Sequence, residues 1–95
     1  MRAGWEAQLA AWLQAHKTYP PEARRRGEEG RALLRLVVAR DGEVRQADLL
    51  RRTPSRILNQ SVLAFLQGAR VPPFPPGMPE ASLTVEVWIQ WILEP

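Results

Sequence analysis

The apolar residues near the N-terminus follow the repeat of a helix. They are Trp5, Leu9, Trp12 and Leu13, and His16 continues the same stripe. Spacings of three and four residues are typical of an amphipathic helix with one face toward a core. The pattern predicts a first helix over about residues 3–16.

A tyrosine and two prolines at 19–21 interrupt this pattern, and a shorter helix is expected to begin there. Pro21 lacks only a donor that the first turn of a helix leaves unpaired, so it suits the first helical position. The arginines at 24–26 suit the negative end of the helix dipole, and Gly27 can adopt the left-handed conformation that ends a helix. The second helix is therefore predicted to have barely two turns.

An apolar run at 32–39 is followed by the turn residues Asp41 and Gly42. A short apolar run that ends in a turn is typical of a buried strand. Asp-Gly favours the positive φ of a type I′ turn, so residues 43–50 are expected to return as an antiparallel strand. The returning strand is the more polar of the two and is predicted to lie at an edge of the sheet.

A third helix is predicted over about residues 55–68. Its apolar stripe consists of Leu58, Val62, Phe65, Leu66 and Ala69. Thr53 offers an N-cap before the helix, and Pro54 suits its first position.

The last part of the chain combines a proline-rich segment with a strand. Five prolines lie within residues 72–79, where they fix φ and remove backbone donors, so a stiff extended connection is expected. Apolar residues then alternate with other residues over 83–93, which predicts the longest strand of the chain.

These elements predict an α+β fold over a single domain, residues 1–95, with its core at about 19–93. The sheet has three antiparallel strands in the order 3-1-2, with the helices packed on one face and the last strand at an edge. Alternation places Leu33, Val37 and Trp88 on the open face, where an apolar surface indicates a partner, either a second copy or another segment of the chain. Trp5, Trp12 and Trp91 are expected in the core.

Composition argues against several classes of function. The net charge of +3 comes from arginines scattered among acidic residues, whereas nucleic-acid binding needs a concentrated basic face. His16 is the only histidine and cysteine is absent, so no catalytic residue, metal site or cofactor is predicted. No apolar run is long enough for a membrane span and no export signal is evident, so action outside the cytoplasm would require a longer chain.

Several local features, taken in order, resemble the C-terminal domain of the TonB family. Tyr19–Pro20 precedes a short helix, Gly30 and Asp41–Gly42 bracket a strand, and a proline-rich segment at 72–76 leads to the last strand. The similarity covers about residues 9–93.

This resemblance implies a non-enzymatic periplasmic module of a longer, inner-membrane-anchored protein. Family members bind the TonB box, a short peptide of outer-membrane TonB-dependent transporters, by adding it as a strand beside the last strand. The residues implied in binding are Leu83, Thr84, Val85, Glu86, Val87, Trp88, Ile89 and Gln90 on that strand, with His16, Lys17, Thr18 and Tyr19 before the short helix.

The resemblance also implies partners. The missing N-terminal part would connect the domain to an ExbB/ExbD-type motor complex, and the same strand edge could pair two copies into a homodimer. The alternative is a TolA-like or other periplasmic bridging domain that serves envelope integrity with the same topology.

Overall fold

A computed structural model describes residues 2–94. Its helices are α1 (Arg2–His16), α2 (Pro21–Arg25) and α3 (Arg56–Leu66), and its strands are β1 (Gly30–Ala39), β2 (Val44–Arg51) and β3 (Ser82–Trp91). The order along the chain is that expected from the sequence. Within the described residues, no helix is long and apolar enough to cross a membrane.

The three strands form one antiparallel sheet in the order β2-β1-β3, which confirms the predicted topology. β1 is central because its apolar residues occupy nearly every position and can be buried between two neighbours. β2 and β3 are the two edges, also as predicted. The pairing of β3 with β1 runs without interruption from Gly30 opposite Trp91 to Ala39 opposite Ser82.

One face of the sheet carries the core. The buried side chains of the strands include Leu34, Leu36, Val38, Val85, Val87 and Ile89. They pack with Trp5, Leu9 and Leu13 of α1 and with Leu58, Val62 and Leu66 of α3 in one cluster. The apolar faces that the spacing predicted for α1 and α3 are therefore the faces that these helices bury.

The tryptophans follow the prediction with one exception. Trp5 and Trp91 are buried, and their indole N–H groups donate to the carbonyls of Pro72 and Thr18 at 2.8 Å and 3.0 Å. Trp12, which was expected in the core, is only partly buried and stacks against Phe65 at its margin.

The start of α3 differs from the prediction. Ser55, not Thr53, is the N-cap: its hydroxyl oxygen accepts from the N–H of Leu58 at 3.1 Å, so Pro54 lies before the helix. Ser55 also donates to the Glu28 carboxylate at 2.6 Å, which fixes it where the helix begins. The Thr53 hydroxyl instead donates to the backbone carbonyl of Ser55 at 3.0 Å. Leu58, three residues after Ser55, lies in the first turn of the helix, where its backbone N–H has no partner within the helix and can donate to a capping side chain.

The turn between β1 and β2 is not the type I′ turn that Asp-Gly suggested. A type I′ turn needs positive φ at both central residues, yet among the described residues only glycines have positive φ. The N–H of Gly42 donates to the carbonyl of Ala39 at 2.9 Å, and Gly42 itself takes φ of 91°. A three-residue loop closed by a glycine therefore makes the connection.

The proline-rich segment is a stiff connection, as expected, with a turn at 76–77. Phe74 is buried against Trp5 with the ring centroids 4.7 Å apart, and its N–H donates to the carbonyl of Arg40 at 3.0 Å. Met78 is also buried. The segment is thus fastened to the core before it leads into β3.

Candidate strand-docking site

The free edge of β3 is defined by the direction of its backbone groups. In an antiparallel pair, successive residues alternate between facing the partner strand and facing away. The Gln90 backbone binds a side chain outside the sheet, so it faces away from β1. Since the register has no irregularity, the backbone groups of Ser82, Thr84, Glu86 and Trp88 also face outward.

Gln14 of α1 occupies the end of this edge. Its side-chain amide nitrogen donates to the carbonyl of Gln90 at 2.8 Å, and its amide oxygen accepts from the Gln90 N–H at 3.1 Å. Both outward groups of Gln90 are therefore satisfied by one side chain. Ser82, Thr84, Glu86 and Trp88 form the part of the edge that remains available, called here the open edge.

The eight residues of β3 implied in binding divide into two sets. Leu83, Val85, Val87 and Ile89 are buried and have their backbone groups toward β1. Thr84, Glu86, Trp88 and Gln90 have exposed side chains and outward backbone groups. The first set holds the strand in the core, and only the second set can meet another chain directly.

Trp88 is a large apolar side chain on the open face, with 46% of its surface exposed. The guanidinium of Arg31 lies over the Trp88 ring, 4.5 Å from its centroid, in a cation–π contact. Leu33, opposite Trp88 in the register, is half-buried beside it. The exposure predicted from strand parity is confirmed.

A groove of about 530 Å³ lies where α1 passes the end of the edge. Its walls are Ala10, Ala11, Gln14, Arg31, Trp88 and Gln90. The small alanine side chains keep the helix from filling the space over Trp88. The groove therefore places an aromatic surface and a strand end side by side.

Residues 16–19, between the end of α1 and the start of α2, lie near the end of β3, away from the middle of the open edge. His16 is exposed at the end of α1, where its ring stacks on Trp12 at 4.2 Å and its Nδ1 lies 2.9 Å from the Trp12 carbonyl. Thr18 contacts β3 through its carbonyl, which accepts from the Trp91 indole. This segment flanks the strand at Trp91, beyond Gln14.

Lys17 and Tyr19 have perturbed pKa values. Partial burial lowers the pKa of Lys17, whose ammonium group donates to the carbonyl of Gln14 at 3.1 Å. For Tyr19, burial and the nearby Glu29 and Glu28 carboxylates raise the pKa, although Arg24 opposes them. The Tyr19 hydroxyl donates to the Glu28 carbonyl, a bond that needs the protonated phenol.

The arrangement offers binding groups rather than reactive ones. Among residues 2–94, no three His, Asp or Glu side chains are grouped closely enough to hold a metal ion. A second cavity, of about 650 Å³, lies between β2 and α3 and is lined by Asp48, Arg52 and Arg56 among others. It lies beside β2, whose pairing with β1 shifts twice, whereas β3 pairs with β1 without a shift.

Gln14 and Arg31 are the residues of this site that sequence reasoning missed. Gln14 lies on the polar side of α1, where a glutamine is ordinarily solvated. Arg31 precedes the apolar run of β1 and looks like a boundary residue. Their roles depend on how α1 and β1 are placed beside β3, for which a single sequence carries no direct signal.

An α+β domain with a regular strand left open at one edge is a fold suited to binding extended peptides. Comparison with known proteins gives the family. The family model described as Gram-negative bacterial TonB protein C-terminal matches residues 15–93. The chain therefore belongs to the TonB C-terminal domain family.

One relative and two solved structures agree. This chain is 32% identical to Protein TonB of Pseudomonas putida over 83 residues, which are 87% of the chain. The match covers 34% of the length of that protein. A solution structure of the Helicobacter pylori TonB C-terminal domain superposes with a TM-score of 0.75 at 24% identity, covering 97% of this chain and 83% of that one. The Pseudomonas aeruginosa TonB C-terminal domain gives 0.68 at 24% identity, covering 83% and 80%. These likenesses confirm the fold.

Proposed function

We propose that this chain is the periplasmic binding module of a TonB-type protein and that it captures the TonB box of outer-membrane transporters by strand addition at the open edge. The observation that carries the proposal is the unbroken β1–β3 register, which leaves Ser82, Thr84, Glu86 and Trp88 with outward backbone groups. An extended peptide satisfies such groups with little demand on its sequence.

Specificity would come from side chains along the same edge. Glu86 and Trp88 project from the open face, one after the other along β3, so they favour a partner with a basic or polar residue near one and an apolar residue near the other. Arg31 fixes the Trp88 ring, so the apolar contact is preorganised. His16, Lys17, Thr18 and Tyr19 flank the path at its end.

Family membership supports the wider role. TonB proteins are energy-transducing and non-catalytic, and they are anchored in the inner membrane and act in the periplasm. In this proposal the remainder of a longer protein links the domain to an ExbB/ExbD-type motor complex, and the domain itself performs no chemistry. Its task is to hold a transporter reversibly while energy is delivered.

An NMR titration tests the binding proposal. The probes are synthetic peptides copied from the N-terminal segments of TonB-dependent transporters of the organism that makes this chain, added to the ¹⁵N-labelled protein. We expect amide shifts at 82–88 and at 16–19, with little change in β2. The control is the same peptide with a central proline, which lacks a strand donor.

Two results would contradict the proposal. Shifts at β2 with none at β3 would place the site on the wrong edge. No shifts with any transporter peptide at millimolar concentration would leave the TolA-like bridging role as the alternative.

A further inference from the structure

The open edge has a defined end at each side. At one side, β3 begins at Ser82. The carbonyl of the preceding Ala81 accepts from the N–H of Arg40 at 2.9 Å, so Ala81 faces inward and Ser82 is the first residue of the strand that faces outward. Where β3 ends, Gln14 satisfies both outward groups of Gln90. The available groups are therefore limited to the stretch from Ser82 to Trp88.

The contact between Gln14 and Gln90 reproduces the pairing of two strands. A primary amide carries one carbonyl acceptor and an N–H donor, the same two groups as a peptide unit. At Gln90 these groups meet the backbone N–H and C=O together, as a residue of a neighbouring antiparallel strand would. The glutamine side chain thus takes the position of one residue of an added strand.

The helix holds this side chain in place. Leu9 and Leu13, on the neighbouring turns of α1, are fully buried in the core, so the helix cannot move away from β3 without exposing them. The Lys17 ammonium also donates to the backbone carbonyl of Gln14, at the base of this side chain. The amide is therefore presented to Gln90 by a fixed element and not by a loose surface side chain.

We propose that Gln14 is a register stop: a docked peptide pairs with Ser82, Thr84, Glu86 and Trp88 and ends its pairing there, because the next outward position is already occupied. This inference rests on the proposed function and adds how far along β3 the partner is paired. A strand that pairs over 82–88 needs about seven residues, or about 20 Å of extended chain.

Extending the pairing past Trp88 brings little gain. An incoming residue at Gln90 would form two hydrogen bonds but would first release the two that Gln14 makes. At Thr84, Glu86 and Trp88 the incoming strand replaces water instead, and no protein bond is lost. The difference limits pairing to the stretch of β3 that ends at Trp88, a limit that a repetitive backbone does not set by itself.

The test compares Gln14→Met with Gln8→Met in the full chain. Methionine keeps the length of the side chain but lacks the amide, and Gln8 is an exposed glutamine of the same helix. In the free protein, we expect the Gln90 amide of Gln14→Met to exchange with solvent about tenfold faster or more, since its hydrogen bond is gone. Gln8→Met should exchange as the wild type does.

The peptide footprint then decides whether Gln14 stops the register. With the transporter peptides described above, wild-type shifts at outward positions should end at Trp88. In Gln14→Met they should continue to Gln90, while those at Thr84 and Glu86 stay. Gln14→Ala provides a second variant, and thermal unfolding checks that each variant is folded.

The failure of this inference differs from the failure of the proposed function. If peptides bind and the wild-type footprint already includes Gln90, or if Gln14→Met leaves the footprint unchanged, the register stop is wrong and strand addition stands. If no peptide binds β3 in wild type or variants, both proposals are wrong.

Discussion

The two edge strands, β2 and β3, pair with the same central strand but differ in length, regularity and cover. β2 has eight residues, and its pairing with β1 shifts twice, between Leu33 and Leu34 and between Val37 and Val38. Each shift leaves one residue of β2, Leu50 or Arg45, without an opposite residue on β1. Irregularities of this kind twist an edge and make it a poor template for another strand.

The beginning of β2 is also covered. The segment after α3 lies against it: the N–H of Val44 donates to the carbonyl of Ala69 at 3.0 Å, and the N–H of Val71 donates to that of Gly42 at 2.9 Å. A salt bridge of 3.0 Å between Arg70 and Asp41 accompanies these bonds. This end of the strand therefore has few groups left for a partner.

β3 has the opposite properties. It pairs with β1 over ten residues without a shift, and among residues 2–94 only Gln14 binds backbone groups on its outer side. On β2 the fold protects an edge strand from pairing with other chains, by two register shifts and by the segment after α3 that covers the beginning of the strand. The regular pairing and mostly uncovered outer side of β3 are therefore specific to this edge and are not a general feature of the sheet.

The largest expected effect comes from proline in β3, where neighbouring residues should respond differently. The N–H of Val87 faces β1, so Val87→Pro removes a ladder bond and should destabilise the protein by at least about 3 kcal/mol. The N–H of Trp88 faces outward, so Trp88→Pro should remain folded at a loss of about 1–2 kcal/mol and lose peptide binding. Circular dichroism with urea unfolding measures the first effect, and peptide titration measures the second.

Trp88→Ala is the control for Trp88→Pro. Both variants lose the indole ring, but Trp88→Ala keeps the outward backbone N–H. If Trp88→Pro bound peptide as well as Trp88→Ala does, the outward groups of β3 would not be the docking groups. Equal destabilisation by proline at 87 and at 88 would contradict the assigned backbone directions.

A smaller effect is expected from opening the cover of β2. A Cβ built at Gly42 would lie 2.1 Å from the carbonyl oxygen of Val71, and Gly42 has φ of 91°. Gly42→Ala should therefore push the covering segment away and destabilise the protein by about 2–3 kcal/mol in urea unfolding.

Gly68→Ala is the matched control for Gly42→Ala. Gly68 also has positive φ, 70°, but nothing lies within 4 Å of its added Cβ. It should lose only the conformational preference, about 1–2 kcal/mol. Similar losses for the two variants would mean that the close approach to Val71 does not hold the cover in place.

The smallest effect is expected beside the end of β3, at Tyr19. Tyr19→Phe removes the bond to the Glu28 carbonyl and should cost about 1 kcal/mol at neutral pH. Because the folded-state pKa is raised, this stabilisation is present below the usual tyrosine value near 10.0 and is lost as pH rises through the folded pKa. The difference between wild type and Tyr19→Phe should therefore shrink above pH 10.0.

Urea unfolding at a series of alkaline pH values measures that difference. Tyr19 is the only tyrosine, so the ultraviolet absorbance of tyrosinate reports its ionisation without ambiguity. A difference that stayed constant through the tyrosinate transition would show that the phenol proton does not contribute to stability.

The fold could be predicted from the sequence because its strongest signals were periodic. The stripes of α1 and α3 and the alternation of β3 each fix which side chains are buried, and burial fixes the faces that pack. The polar character of β2 indicated its place at an edge. Local features were predicted less well, since Ser55 and Thr53 are both good caps and Asp-Gly is compatible with more than one turn.

The site could be predicted only in outline. The resemblance indicated β3 and residues 16–19, and parity indicated that Trp88 is exposed. The direction of each backbone group depends on which residue of β1 is opposite, and Gln14 is 76 residues away from its partner in sequence. Such contacts follow from the three-dimensional register and have no periodic signal along the chain.

The uninterrupted ladder between β1 and β3 has a mechanical consequence. Its hydrogen bonds run across the strands, so tension along β3 loads all of them at once, whereas lifting one end of β3 breaks them one after another. Rupture forces measured by single-molecule extension in the two geometries should differ accordingly. A strand added to the outer side would share this anisotropy, firm against a pull along its axis and easily peeled from an end.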